Sequence, residues 1–232
     1  MRPTEGVIGE AWALYKAHWR HLLPISFIVY VSIAIVGALL TAVLTWLGAL
    51  IAALISLVGV FWVQGALATA VEDIRDGRAD LSLGETFSRV RPQLGSIIVA
   101  GVLAGIGVFL GLLLLIVPGL VLMTWWVLII PVIALERTSA GPGFSRSREL
   151  VRGYGWNVFG VIVLTILLLL GFEIVLAIAL TPAADWLQSF VSGIVSGTLT
   201  APFIALVWTL LYFRLRQAKS TPAAPPSPVT GT

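Results

Sequence analysis

The stretch GSIIVAGVLAGIGVFLGLLLLIVPGLVLMTWWVLIIPVIAL, residues 95–135, contains 41 consecutive residues without Asp, Glu, Lys, Arg or His. A helix at the surface of a soluble domain needs one polar face, and this stretch has none. As one helix it would be about 60 Å long at ~1.5 Å per residue, twice the ~30 Å of a bilayer core. It therefore reads as two membrane spans. The turn falls at Ile116-Val117-Pro118-Gly119, where Pro118 disfavours helix for the residue before it and Gly119 allows a positive φ.

The rest of the 232-residue chain repeats this plan of charge-free hairpins between charged segments. Hydrophobic residues make up 59% and charged residues 11%, with a mean hydropathy of +1.03. Soluble domains carry about 25% charged residues, so the composition assigns the chain to a bilayer. Six spans leave no length for a separate catalytic domain. With no cysteine, disulfides, thiolate metal sites and cysteine nucleophiles are ruled out.

Residues 1–21 read as an amphipathic helix rather than a signal peptide, because the apolar run begins only at Leu22. Ile8, Trp12, Tyr15, Trp19 and Leu22 share one face, and Thr4 is the expected N-cap. Trp and Tyr favour the headgroup level, so this helix is expected to lie in the interface. Leu22–Val71 is free of charge and reads as spans at about 24–45 and 49–71, turning near Trp46-Leu47-Gly48. A polar turn and a second short amphipathic helix, Leu81–Leu94, lead to spans at 95–117 and 119–135. Glu136–Asn157 is again polar, and spans at 156–180 and 187–213 follow. The fold class is thus all-α, with six transmembrane helices and short interfacial helices in one domain, 1–217. The Pro-rich tail, 218–232, is expected to be disordered and cytoplasmic.

Charge placement tests this topology independently. Three basic residues precede the first span, four lie between the second and third, four between the fourth and fifth, and three follow the sixth. That accounts for all 14 Lys and Arg. Six spans put every one of them on one side. The positive-inside rule makes that side the cytoplasm, with both termini there. The basic residues beside the spans suit anionic lipid headgroups and not nucleic acid.

Pro131-Val132-Ile133-Ala134-Leu135 also matches Pro202-Phe203-Ile204-Ala205-Leu206. This suggests a unit of short helix plus hairpin used three times; the alternative is coincidence within a restricted alphabet. The segments Gly9–Tyr15, Ile116–Gly119, Pro131–Glu136, Ser145–Gly153 and Leu211–Arg216 together resemble a family. These are the bacterial membrane proteins related to the membrane domain of glycerophosphodiester phosphodiesterases. The resemblance covers roughly residues 5–217. It implies a location in the bacterial cytoplasmic membrane and a fold. It does not imply hydrolysis, because the catalytic barrel joined to that domain in the phosphodiesterases has no counterpart here.

Glu173 is the one charged residue well inside a predicted span, at a cost of about 2–4 kcal/mol if ionised there. It is expected to face the bundle, with Ser192, Ser196 and Thr124 at similar depth. It reads either as a proton or solute site, or as an interior hydrogen bond, or as a side chain close enough to the outer interface to snorkel. Pro131 and Pro202 free the carbonyls of Val127 and Thr198, which either coordinate an ion or mark tolerated kinks. Arg146, Arg148 and Arg152 are candidate headgroup contacts, with Arg148 and Arg152 sharing a helix face, or ordinary topology-fixing charge. Gly101/Gly105, Gly107/Gly111 and Gly193/Gly197 read as intramolecular packing faces, with a dimer seam as the alternative. No catalytic set, metal motif or cofactor loop is present, so no cofactor is expected. The sequence specifies no protein partner. The expectation is a non-enzymatic membrane protein with a structural, regulatory or assembly role. The alternative is a small transporter or channel for an apolar or lipid-like solute. An enzyme acting on lipid headgroups would need a site among residues 72–94 and 136–157.

Overall fold

The computed structural model describes residues 3–77, 80–181 and 185–220, with the backbone alone for 185–189. Every regular element among them is helical. Helix α1, Val7–Arg75, is interrupted at His18 and Thr45, where the backbone leaves helical geometry. The first break separates a short helix, 7–17, from a long apolar one. At Thr45 (φ 51°) the chain reverses. A Cβ on Gly59 would sit 2.7 Å from the Ile33 side chain, and one on Gly37 would sit 3.7 Å from Ala52. Residues 29–37 and 52–59 therefore run side by side in opposite directions. The predicted turn at 46–48 begins one residue early. Gly48 has a steric role, since a Cβ there would lie 2.0 Å from the Leu40 carbonyl oxygen.

Helix α2 (Leu83–Val90) starts with a capping box. The Ser82 hydroxyl accepts the Glu85 N–H, and the Glu85 carboxylate accepts the Ser82 N–H. A 3₁₀ turn, Arg91–Gln93, joins it to α3 (Leu94–Leu114). The chain then reverses at Leu115, whose extended backbone (φ −155°, ψ 132°) separates α3 from α4, Ile116–Trp126. This corrects the expected turn. Pro118 and Gly119 lie inside the first turn of α4, where a missing N–H costs nothing. Gly119 does not have a positive φ. A Cβ on it would be 2.5 Å from the Leu112 backbone nitrogen, and one on Gly111 would be 2.9 Å from the Gly119 Cα. The two glycines let α3 and α4 touch where they reverse.

The predicted fourth span is two helices. The chain breaks after α4, and α5 (Ile129–Glu136) follows with Pro131 in its first turn. Pro131 thus begins a helix instead of kinking one. The Ser147 hydroxyl donates to the Trp125 carbonyl at the break, at 2.7 Å. Helices α6 (Ala140–Val151) and α7 (Gly155–Leu180) come next. Helix α8 (Asp185–Ser220) runs three residues into the predicted tail. Residues 221–232 of that tail, and 182–184 of the predicted last turn, lie outside the described residues. Helix 7–17 starts after Gly6 (φ 72°) and not at a Thr4 cap. It buries Val7 and Ala11 in the core, as α2 buries Val90 and α6 buries Leu150 and Val151.

Among the described residues, five helical stretches are long and apolar enough to cross a membrane. Thr45 divides the first into two, which matches the expected count of six. The core is concentrated at one end. Helix α8 packs chiefly along α1, and the buried residues cluster in 63–74, 128–134, 158–165 and 201–215. The charged segments gather at this same end. Toward the reversals apolar side chains are bare: Trp46 is 72% exposed, Leu113 71% and Leu114 79%.

Candidate functional site

Among the polar residues nominated within the spans, the structure pairs Ser196 with Glu173. The Ser196 hydroxyl on α8 donates to the Glu173 carboxylate on α7. Thr124 is not part of this pair; it is buried in α4 and its hydroxyl donates to the Leu120 carbonyl at 2.8 Å. Ser192 is half-buried one turn before Ser196. Glu173 is exposed, contrary to the expectation that it faces the bundle. Helix α7 buries Val158, Val161, Ile162 and Thr165, all in its first half. Beyond Thr165 it leaves the core, and Glu173 follows it to the surface.

The carbonyl freed by Pro202 is taken up inside the chain. Pro202 lies within α8 and has no N–H for Thr198. The buried Ser26 hydroxyl donates to that carbonyl at 2.9 Å, and Tyr15 donates to the adjacent Leu199 carbonyl at 3.2 Å. No ion is needed to satisfy the Thr198 carbonyl. At least one glycine of each pair also packs within the chain. A Cβ would clash with Phe61 at Gly101, with Trp126 at Gly107 and with Tyr30 at Gly197, while Gly105 and Gly193 face open space.

The three candidate headgroup arginines have different surroundings. Arg146 is bound to protein. Its Nε lies 3.2 Å from both Glu136 oxygens, and its Nη1 lies 3.0 Å from Glu149. Arg148 is exposed and stacks 4.2 Å over Trp125. Arg152 lies past the end of α6 with a non-helical backbone, so the helix face it was expected to share with Arg148 does not exist. Its carbonyl accepts Lys219 at 2.8 Å.

Sequence reasoning missed the group that organises the basic end. Tyr212 donates to Glu136 at 2.9 Å, and Arg216 donates to the Tyr212 hydroxyl at 3.2 Å. One carboxylate thereby ties α5, α6 and α8 together. Arg214 clamps helix 7–17 by donating to the Glu5 carbonyl and the Glu10 carboxylate. Glu136 ends a long apolar run, which marked its position but not its partners, from 10 and 76 residues away. Burial pushes the Glu72 carboxyl up, and Asp76 pushes it further; Arg89, Arg137 and Arg216 pull it back. Asp73 is buried and accepts the backbone N–H groups of Asp80 and Leu81 at 3.0 and 3.2 Å. Asp73 and Glu85 therefore support the loop. No group of three or more His, Asp or Glu among the described residues is placed to hold a metal.

One cavity stands out. It has a volume of about 630 Å³ and lies between helix 7–17, α7 and α8, within the ~300–1,000 Å³ usual for ligand sites. Trp12, Tyr15, Leu168, Leu169, Phe172 and Phe203 form its walls. Ile8, Trp12 and Tyr15 of the amphipathic face read from the sequence line this slot, while Trp19 of the same face is exposed. The slot approaches Glu173, the residue after Phe172, but it is apolar and does not include the carboxylate. Comparison with protein-family models, curated proteins and solved structures found no match. The site is therefore read from its own chemistry.

Proposed function

We propose that the chain is a multi-pass protein of the bacterial cytoplasmic membrane, with its basic end and both termini in the cytoplasm. Its role is non-enzymatic: structural, regulatory or in assembly. The observation that carries this reading is the opposition between the two ends. Ion pairs and a closed core hold the basic end. The reversals around Trp46 and Leu113–Val117 present bare apolar side chains. Each large apolar side chain left in water forgoes about 1.5–3 kcal/mol, a cost that a bilayer removes. The resemblance to the phosphodiesterase membrane domain belongs to this proposal and bears on location and fold alone. So does the threefold unit, which the element order supports: helix 7–17, α2 and α6 each precede an outgoing helix.

Because the chain lacks cysteine, single substitutions report sidedness without background. Trp46→Cys should react in intact cells with a maleimide that does not cross the inner membrane. Ser220→Cys should react only after lysis. Labelling of both in intact cells would overturn the proposed insertion. The slot favours a second reading, in which the protein binds or moves a lipid-like solute.

A further inference from the structure

We propose that the slot between helix 7–17, α7 and α8 holds one acyl chain of an anionic phospholipid from the cytoplasmic leaflet, with its headgroup phosphate against Lys16 and Arg20. This rests on the membrane insertion proposed above.

The polar atoms in the slot are already used. Tyr15 donates to the Leu199 carbonyl, and Thr200 donates to the Ser196 carbonyl at 2.7 Å. What remains is an apolar wall suited to a hydrocarbon tail. The slot opens sideways, because Trp12 (52%) and Leu168 (45%) are exposed along it. A chain can therefore enter from the bilayer without crossing a polar barrier.

Charge at the two ends gives the occupant a direction. The Lys16 ammonium lies 5.9 Å from the centre of the Trp12 ring, and the Arg20 guanidinium lies 5.4 Å from that of Trp19. Both cations are exposed, and neither has an ion pair among the described residues. By contrast, Arg146 and Arg214 are held by carboxylates. At the α7 end, Glu173 follows Phe172, and a carboxylate there repels an anionic head. A phosphate is thus attracted beside Trp12 and rejected beside Phe172.

The test uses the full chain reconstituted in phosphatidylcholine vesicles. The probe is a trace of phosphatidylglycerol carrying a photoreactive diazirine halfway along one acyl chain. Phosphatidylcholine with the same chain is the comparison, and crosslinks are mapped by peptide mass spectrometry. The phosphatidylglycerol probe should label residues 168–172 and 199–203 more strongly than the phosphatidylcholine probe does. Lys16→Gln and Arg20→Gln should each lower the phosphatidylglycerol signal about fivefold and leave the phosphatidylcholine signal unchanged. Leu169→Trp, which fills the slot, should remove both. Equal labelling by the two probes, unmoved by loss of the cations, would overturn the assignment of the head. Labelling of the slot no stronger than that of bare residues such as Leu39 and Leu113 would overturn the site. If Leu39 and Leu113 also stay unlabelled, the membrane insertion itself fails, a result distinct from the other two.

Discussion

Pro202 and Ser26 show how one residue's defect is answered by another 176 positions away. A proline inside a helix leaves a carbonyl without its donor, and a buried carbonyl left so costs about 1–3 kcal/mol. The Ser26 hydroxyl meets the Thr198 carbonyl at 2.9 Å. Ser26→Ala should therefore destabilise the protein by about 1–2 kcal/mol, read as thermal unfolding in detergent. In a Pro202→Ala background, where the helix supplies its own N–H, the same substitution should cost much less. Equal costs in the two backgrounds would show that the bond does not answer the proline. The sequence revealed that Pro202 frees the Thr198 carbonyl. It did not reveal the donor, because Ser26 lies on a different helix and serine recurs throughout the chain. The same blindness applied to Glu136, whose partner Tyr212 is fixed only once α5 and α8 meet.

At the scale of the element, the long apolar helices were legible because they are long runs without charge, and such runs can be counted. Their ends were less so. The expected turn signals, Gly48 and Pro118-Gly119, lie beside the reversals at Thr45 and Leu115 and do not form them. Glycine was read for conformational freedom, but here it mainly permits close approach. Thr45 bears the positive φ instead, and a β-branched residue is strained there. Thr45→Gly should raise stability by about 1 kcal/mol, while Gly48→Ala, which drives a methyl group into the Leu40 carbonyl, should lower it by at least about 2 kcal/mol. Chemical denaturation in mixed micelles would measure both, and a stabilising Gly48→Ala would contradict the geometry of this turn. Helix α4–α5 was read as a single span because both halves are equally apolar. The break between them becomes visible only with Ser147 bound to the Trp125 carbonyl.

For the whole molecule, the charge count yielded the six-segment plan, and the structure adds that stability is concentrated at the basic end. Glu72 lies there among charges from four elements. Its folded pKa is raised, so its contribution to stability is present below the ordinary carboxylate range and is lost as the pH climbs through the raised value. Relative to Glu72→Gln, the wild type should lose thermal stability as the pH rises above about 4, the ordinary carboxylate range. A difference that stays constant over that rise would remove Glu72 from the account. The bare apolar reversals bear on biogenesis. Residues 22–71 and 92–135 contain no charged side chain, whereas the third hairpin contains Glu173 and Asp185. On the proposed insertion, the first two hairpins move no ion through the hydrocarbon, so the membrane voltage does no work on them. An acid carried outward from a negative cytoplasm gains about 2.3 kcal/mol per 100 mV. An uncoupler added during synthesis should therefore leave the external appearance of Trp46→Cys and Leu115→Cys unchanged and delay that of Ala183→Cys. On that insertion, a chain that packs mainly at its basic end can receive two hairpins without electrical work and draw in the third with the field.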